Sequence, residues 1–180
     1  LNDAVHHYRQ AISKNTEYSE AHNNLGTALK EMGRLQDAEN SFKNAISLNP
    51  YYAESLNNLG VVLQKLERFE EAERNFSRAL ELKPSYIDAH INKGNALQQA
   101  GKFEKAAGSY AKALSLDEAN ARAYCYMGSS LHRLGKLDEA KACYLKSIIL
   151  DPYDAETHNN LGVTLQELGE INEAKERYQE

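Results

Sequence analysis

Apolar side chains recur at steps of three and four along this chain, in stretches that a glycine or a short polar break divides. One such pair runs Leu25, Leu29, Met32, then Leu35, Ala38, Phe42, Ala45, Ile46, Leu48, with the break at Gly33. Steps of three and four place these residues on one face of a helix, so each stretch predicts an amphipathic helix and each pair a helical hairpin. The pattern returns every 34 residues: Asn23-Asn24-Leu25-Gly26 reappears as Asn57-Asn58-Leu59-Gly60 and as Asn159-Asn160-Leu161-Gly162. Looser copies stand at Asn92-Lys93-Gly94 and Tyr126-Met127-Gly128 on the same spacing. A period of this size marks a solenoid, in which each unit buries its apolar face against its neighbours.

With Ser19 as position 1, the units are 19–52, 53–86, 87–120 and 121–154; 155–180 is a partial, truncated unit and 1–18 is the second helix of an earlier one. All are read as one solenoid domain. Gly26, Gly60, Gly94, Gly128 and Gly162 share position 8, where a missing side chain lets the paired helix approach. Gly33, Gly101, Gly135 and Gly169 share position 15, where a left-handed residue ends the first helix. Glu67 holds position 15 in the second unit, where a left-handed backbone costs roughly 1 kcal/mol, so that turn is expected to be strained or altered.

Small residues fill position 20 (Ala38, Ala72, Ala106, Ala140, Ala174) and position 27 (Ala45, Ala79, Ala113, Ser147), and an aromatic lies between them: Phe42, Phe76, Tyr110, Tyr144, Tyr178. Small residues facing large ones are how helix ridges enter grooves. Pro50, Pro84 and Pro152 at position 32 end one hairpin before the next. Thr16 and Glu118 stand where the other two prolines would be. The pattern Leu-Gly-x-x-Leu, Ala-x-x-x-Phe/Tyr, Pro resembles the tetratricopeptide repeat over essentially the whole chain. The departures are His22, Leu56, His90, Tyr124 and His158 where that family often has Trp, and Lys93 at a usually apolar position. The resemblance implies an all-α fold, a right-handed superhelix of antiparallel helix hairpins, with the first helix of each hairpin on the concave side.

Positions 2, 5, 6, 9, 12 and 13 should then face the groove. Position 6 is Asn24, Asn58, Asn92, Tyr126 and Asn160, and position 5 adds Asn23, Asn57 and Asn159. Asparagine is a mediocre helix former, so propensity did not select this column. A carboxamide both donates and accepts, which suits gripping a peptide backbone, and Tyr126 is either an aromatic anchor or a ring packed on Arg122 or a neighbouring turn. Position 2 is acidic in Glu20, Glu54, Asp88 and Glu156, either a lip for basic ligands or a complement to the helix dipole.

Relatives that clamp a terminal carboxylate use Lys and Arg on these helices. Here Asn23, Thr27, Asn58, Asp88 and Asn92 occupy comparable positions, which argues against a chaperone-tail adaptor. The asparagine column, with the stretch Glu139-Ala140-Lys141-Ala142-Cys143-Tyr144-Leu145-Lys146, also resembles the repeat region of O-linked N-acetylglucosamine transferases. In those enzymes the superhelix delivers protein substrates to a separate catalytic domain.

A net charge of −5 and the absence of a basic stripe argue against nucleic acid or a membrane surface as partner. No apolar run approaches the length of a membrane span. Two isolated cysteines, Cys125 and Cys143, fit reduced thiols in a cytoplasmic protein. His22, His90 and His158 lie two units apart, beyond any shared metal shell, so no metal, cofactor or catalytic constellation is expected. Gly101-Lys102 and Gly135-Lys136 lack phosphate-loop spacing. Neither end carries a polar capping helix, which predicts a piece of a longer array with possible head-to-tail stacking. The expectation is a non-catalytic scaffold holding an extended peptide or partner helix in its concave groove. The alternatives are a recruiting arm of a glycosyltransferase and a structural assembly element.

Overall fold

A computed structural model describes residues 1–170, all of them in helices, turns or short connections. Ten helices follow one another: α1 (Asn2–Lys14), α2 (Ser19–Glu31), α3 (Leu35–Leu48), α4 (Ala53–Lys65), α5 (Phe69–Leu82), α6 (Ile87–Gln99), α7 (Phe103–Leu116), α8 (Ala121–Arg133), α9 (Leu137–Leu150) and α10 (Ala155–Glu167). The chain divides within α6 into two compact units, Leu1–Asn92 and Lys93–Glu180, each built by packing sequence neighbours. The column members Ala174 and Tyr178 lie outside the described residues.

Every hairpin turn closes the same way. The position-16 N–H donates to the position-11 carbonyl: Arg34 to Leu29 (2.9 Å), Arg68 to Leu63 (2.9 Å), Lys102 to Leu97 (2.8 Å), Lys136 to Leu131 (3.0 Å) and Glu170 to Leu165 (2.8 Å). This six-to-one bond requires a left-handed residue just before it. Gly33, Gly101, Gly135 and Gly169 supply φ of 73° to 82°, and Glu67 is forced to φ 59°. The turn geometry holds despite the substitution, so the strain is borne by Glu67.

Position 8 is explained by the ring opposite it. A Cβ on Gly26, Gly60, Gly94 or Gly128 would lie 2.5 to 2.8 Å from the nearest ring carbon of Phe42, Phe76, Tyr110 or Tyr144 respectively. Those four rings are buried, as are Ala38, Ala72, Ala106 and Ala140 at position 20 and the position-27 residues. Ser147, in place of alanine, satisfies its hydroxyl on the Ala121 carbonyl at 2.9 Å.

The histidines that replace Trp take a polar role at the hairpin junction. His90 Nε2 lies 2.9 Å from the Pro84 carbonyl oxygen, and His158 Nε2 lies 2.9 Å from that of Pro152. Each ring thereby ties the start of a first helix to the proline that ended the preceding hairpin.

An ion pair crosses between neighbouring hairpins. Glu39 is 1% exposed and accepts from Arg68 Nη1 at 2.9 Å on both oxygens, with Lys43 Nζ at 2.7 Å. Burial pushes the Glu39 carboxyl up, but its bonds to Lys43 and Arg68 outweigh that and hold it below the usual carboxylate range. In the second unit Lys141 pairs with Glu170 from the same two repeat positions with the charges exchanged.

The candidate peptide-binding face

The asparagines of positions 5 and 6 serve different purposes. Asn23 is 2% exposed and Asn57 5%, so neither carboxamide faces a ligand. Asn23 Oδ1 accepts from Ser55 Oγ (2.8 Å) and from Asn58 Nδ2 (3.3 Å), both on the next first helix. Asn57 Oδ1 likewise accepts from Asn92 Nδ2 (3.1 Å), and its own Nδ2 reaches the Tyr86 hydroxyl at 3.5 Å. Position 5 therefore fastens one repeat to the next, which corrects the expectation that Asn23 and Asn57 line a groove. The reason is positional: the following hairpin covers that flank of the helix. Asn159 is exposed.

Position 6 is the giving side of the same bond. Asn58 and Asn92 are half-buried and donate their amides backward, leaving their carbonyl oxygens as acceptors. Asn24 is exposed. Tyr126 packs against Tyr110 with ring centroids 5.8 Å apart, tilted by 46°; burial raises its hydroxyl above the usual range while Arg122 opposes that. Cys125 is the position-5 residue of the preceding repeat; burial raises its thiol, and Thr157 and Asn160 oppose that.

In the second unit the side chains of α8, α9 and α10 enclose an open hollow of about 190 Å³. Ser129, His132, Arg133, Tyr144, Asn160 and Val163 line it. Asn160 is thus an asparagine of the anticipated column that lines a concavity. His132 Nδ1 lies 2.9 Å from Thr164 Oγ1 and its Nε2 3.3 Å from Glu167 Oε1, which fixes the ring between two repeats. Arg133 lies with its guanidinium carbon 5.0 Å from the Phe103 ring centroid. Nearby, Gln98 accepts from Ser130 Oγ (3.2 Å) and donates to Ser129 Oγ (3.1 Å), and the Tyr110 hydroxyl lies 2.7 Å from Asn95 Oδ1. Ser129, Val163, His132 and Arg133 occupy positions 9, 12 and 13. Position 12 repeats glutamine at Gln64, Gln98 and Gln166 while positions 9 and 13 vary, and helical spacing puts all three on the same face as position 6.

The tetratricopeptide repeat family model matches residues 17–85 and 51–119, and a second repeat model of the same family matches residues 128–169. The chain belongs to the tetratricopeptide repeat family. A search of curated proteins returns no match. Among solved structures the chain is similar to YrrB, described as a tetratricopeptide repeat protein with an unusual peptide-binding site. That likeness has 25% identity and a TM-score of 0.79, covering 94% of this chain and 88% of YrrB. MamA from Desulfovibrio magneticus RS-1 is 22% identical with a TM-score of 0.84, covering 89% of this chain and 91% of that one. The pilF protein of Pseudomonas aeruginosa is 21% identical with a TM-score of 0.81, covering 89% and 73%. These last two establish the shared repeat fold.

Within this tetratricopeptide repeat fold, both cysteines are free. Burial and the neighbouring Glu139 push the Cys143 thiol up to about 11, and burial raises that of Cys125. Such thiols are poor nucleophiles at neutral pH. Among the described residues no group of three or more His, Cys, Asp and Glu side chains is placed to hold a metal ion. Among the same residues no helix is long and apolar enough to cross a membrane.

Proposed function

We propose that this chain is a non-catalytic scaffold that holds an extended peptide, or one helix of a partner, along positions 6, 9, 12 and 13 of its first helices. The observation that carries the reading is the hollow around Asn160, Ser129, His132 and Arg133. It gathers a carboxamide, a hydroxyl, an imidazole and a guanidinium at one concavity, a mixture suited to backbone and side-chain polar groups of a peptide. The likeness to a protein described as having a peptide-binding site supports the same assignment.

The test is a peptide array probed with the chain and with an Asn160→Ala/His132→Ala variant. Binding lost in the variant supports the reading; equal binding by both proteins overturns it. Helical circular dichroism of the variant separates lost binding from lost stacking, because His132 also bonds to Thr164 and Glu167 of the next repeat. The half-buried carboxamides of position 6 also suit the recruiting arm of a glycosyltransferase, a narrower form of the same proposal. Its signature would be binding of many unrelated sequences through their backbones.

A further inference from the structure

Local helix physics and residue choice disagree at one column of the first unit. The residue before a first helix is its N-cap, where Asn, Asp, Ser or Thr is favoured because its side chain accepts an otherwise unpaired backbone N–H. Two later repeats follow this rule: Asn120 accepts from the Ala123 N–H and Asp154 from the Glu156 N–H. In residues 1–92 the same position is tyrosine three times, Tyr18, Tyr52 and Tyr86. Tyr18 and Tyr52 make no side-chain cap bond. Tyr18 and Tyr52 therefore stand where a better cap was available; Tyr18 is 42% exposed, Tyr52 and Tyr86 are half-buried, and the Tyr86 hydroxyl also meets Asn57.

Carboxylates alternate with these rings. Glu20, Glu54 and Asp88 are exposed two residues beyond each tyrosine. After burial, the nearest influences raising the Tyr52 hydroxyl are Glu54, Glu20 and Tyr18, and those raising Tyr86 are Glu54 and Asp88. Rings and acids thus recur at two fixed positions at the start of successive first helices, and α2 and α4, which begin just after Tyr18 and Tyr52, are in contact. The strip already holds one cation: the Lys83 ammonium lies 4.9 Å from the Tyr86 ring centroid. At Tyr18 and Tyr52 the residue corresponding to Lys83 is Asn15 and Asn49, so those two rings carry no such in-chain cation.

Resting on the peptide-scaffold reading, we infer that Tyr18, Tyr52 and Tyr86, with Glu20, Glu54 and Asp88 between them, dock a basic extended segment of a partner. Lysine or arginine stems lie on the rings, as Lys83 does, and the carboxylates complement their charge. The spacing suits this ligand. α2 and α4 are in contact, and packed helices lie about 8–10 Å apart. A polyproline II chain presents every third side chain on one face about 9 Å further on. A segment with a basic residue at every third position therefore matches the column.

The experiment is fluorescence anisotropy with the whole chain and fluorescein-labelled Lys-Pro-Pro repeats, beside Gln-Pro-Pro and Glu-Pro-Pro repeats of equal length. The lysine peptide should bind most tightly, and more weakly as salt is raised. Tyr18→Asn/Tyr52→Asn removes two rings while supplying helix caps, so a loss of binding is not a loss of folding. Each exposed cation–ring contact accounts for about 2–5-fold, so this variant should lose roughly 5–25-fold. Glu20→Gln/Glu54→Gln/Asp88→Asn should also weaken binding, by about 1.4–5-fold per ion pair. Lysine peptide bound no better than glutamine peptide, or bound equally by the tyrosine variant, overturns the assignment. If Asn160→Ala/His132→Ala leaves lysine-peptide binding intact, the strip stands without the hollow. If peptides of every charge bind and only that variant loses them, the hollow stands and the strip falls.

Discussion

Gly60→Ala and Gly108→Ala are the same chemical change on two helices, and the structure assigns them opposite signs. At Gly60 the new Cβ would lie 2.6 Å from Phe76 Cε1 and 2.8 Å from Cδ1 and Cζ. Carbon atoms prefer about 3.5–4.0 Å, so the ring must retreat by about 1 Å. Phe76 is fully buried, and a Cβ fixed to the backbone cannot rotate away. Overpacking of this kind costs about 1–3 kcal/mol, and the extent of the overlap argues for the upper half of that range. Alanine recovers about 1 kcal/mol over glycine in a helix interior, which leaves a net loss of about 1–2 kcal/mol. At Gly108, on α7, nothing lies within 4 Å of the added atom, so the helix gain acts alone and stability rises by about 0.5–1 kcal/mol. Urea unfolding followed by helical circular dichroism measures both. A Gly60→Ala variant stabilised like Gly108→Ala would refute the argument that position 8 is glycine because of the ring. Adding Phe76→Leu should make the alanine cheaper, by about 1 kcal/mol of favourable coupling in a double-mutant cycle.

Asn23→Ala removes the acceptor of buried Ser55 and should cost about 1–3 kcal/mol, whereas exposed Asn159→Ala should stay within about 0.5 kcal/mol, both by urea midpoint. Glu39→Gln should cost about 1.5–3 kcal/mol at neutral pH, because the bonds to Lys43 and Arg68 are to a charged acceptor. The folded carboxyl titrates below its unfolded value, so that contribution is complete above the ordinary carboxylate pKa and is lost as pH falls through the lowered one. The gap between wild type and Glu39→Gln should therefore narrow below about pH 4, measured as denaturant midpoint against pH. With its thiol near 11, Cys143 should react with iodoacetamide at pH 8 roughly two orders of magnitude more slowly than in the urea-unfolded chain.

The hairpins, their turns and the columns that pack them were legible because each rests on spacing within one chain segment. Position 15 needs a positive φ whatever surrounds it, and Glu67 shows that even a residue that resists it complies when the six-to-one bond demands it. The position-8 glycines were legible as a close approach, and the ring of position 24 proved to be what approaches. The two asparagine columns were not separable in the same way. A helical wheel drawn for α2 puts Asn23 and Asn24 side by side, and only the next hairpin, arriving 32 to 35 residues later, covers one and spares the other. At position 4, where the family often has Trp, a ring nitrogen of His90 and of His158 meets a proline carbonyl six residues back, a contact that the residue pattern does not show. The hollow lies at positions 9, 12 and 13, which helical spacing turns toward the groove, but the particular side chains Ser129, His132 and Arg133 are differences between units that a search for sameness does not pick out.

That distinction has a physical basis. Positions that join neighbouring repeats must complement each other across the junction, so they change in pairs or not at all. Glu39 with Arg68 and Lys141 with Glu170 show a pair exchanging sign while keeping its geometry. Asn23 with Asn58 and Asn57 with Asn92 show a pair kept unchanged, with the same backward reach. Positions that face a ligand have no such partner within the chain, and they are free to differ from one unit to the next. Tyr18 and Tyr52 at position 34 forgo a helix cap that Asn120 and Asp154 make, and the tyrosine column runs through three repeats of residues 1–92, where Tyr86 also meets Asn57 across a junction. A repeated residue that its local helix does not favour calls for a reason beyond that helix, and the proposed basic segment supplies one that peptide titration tests.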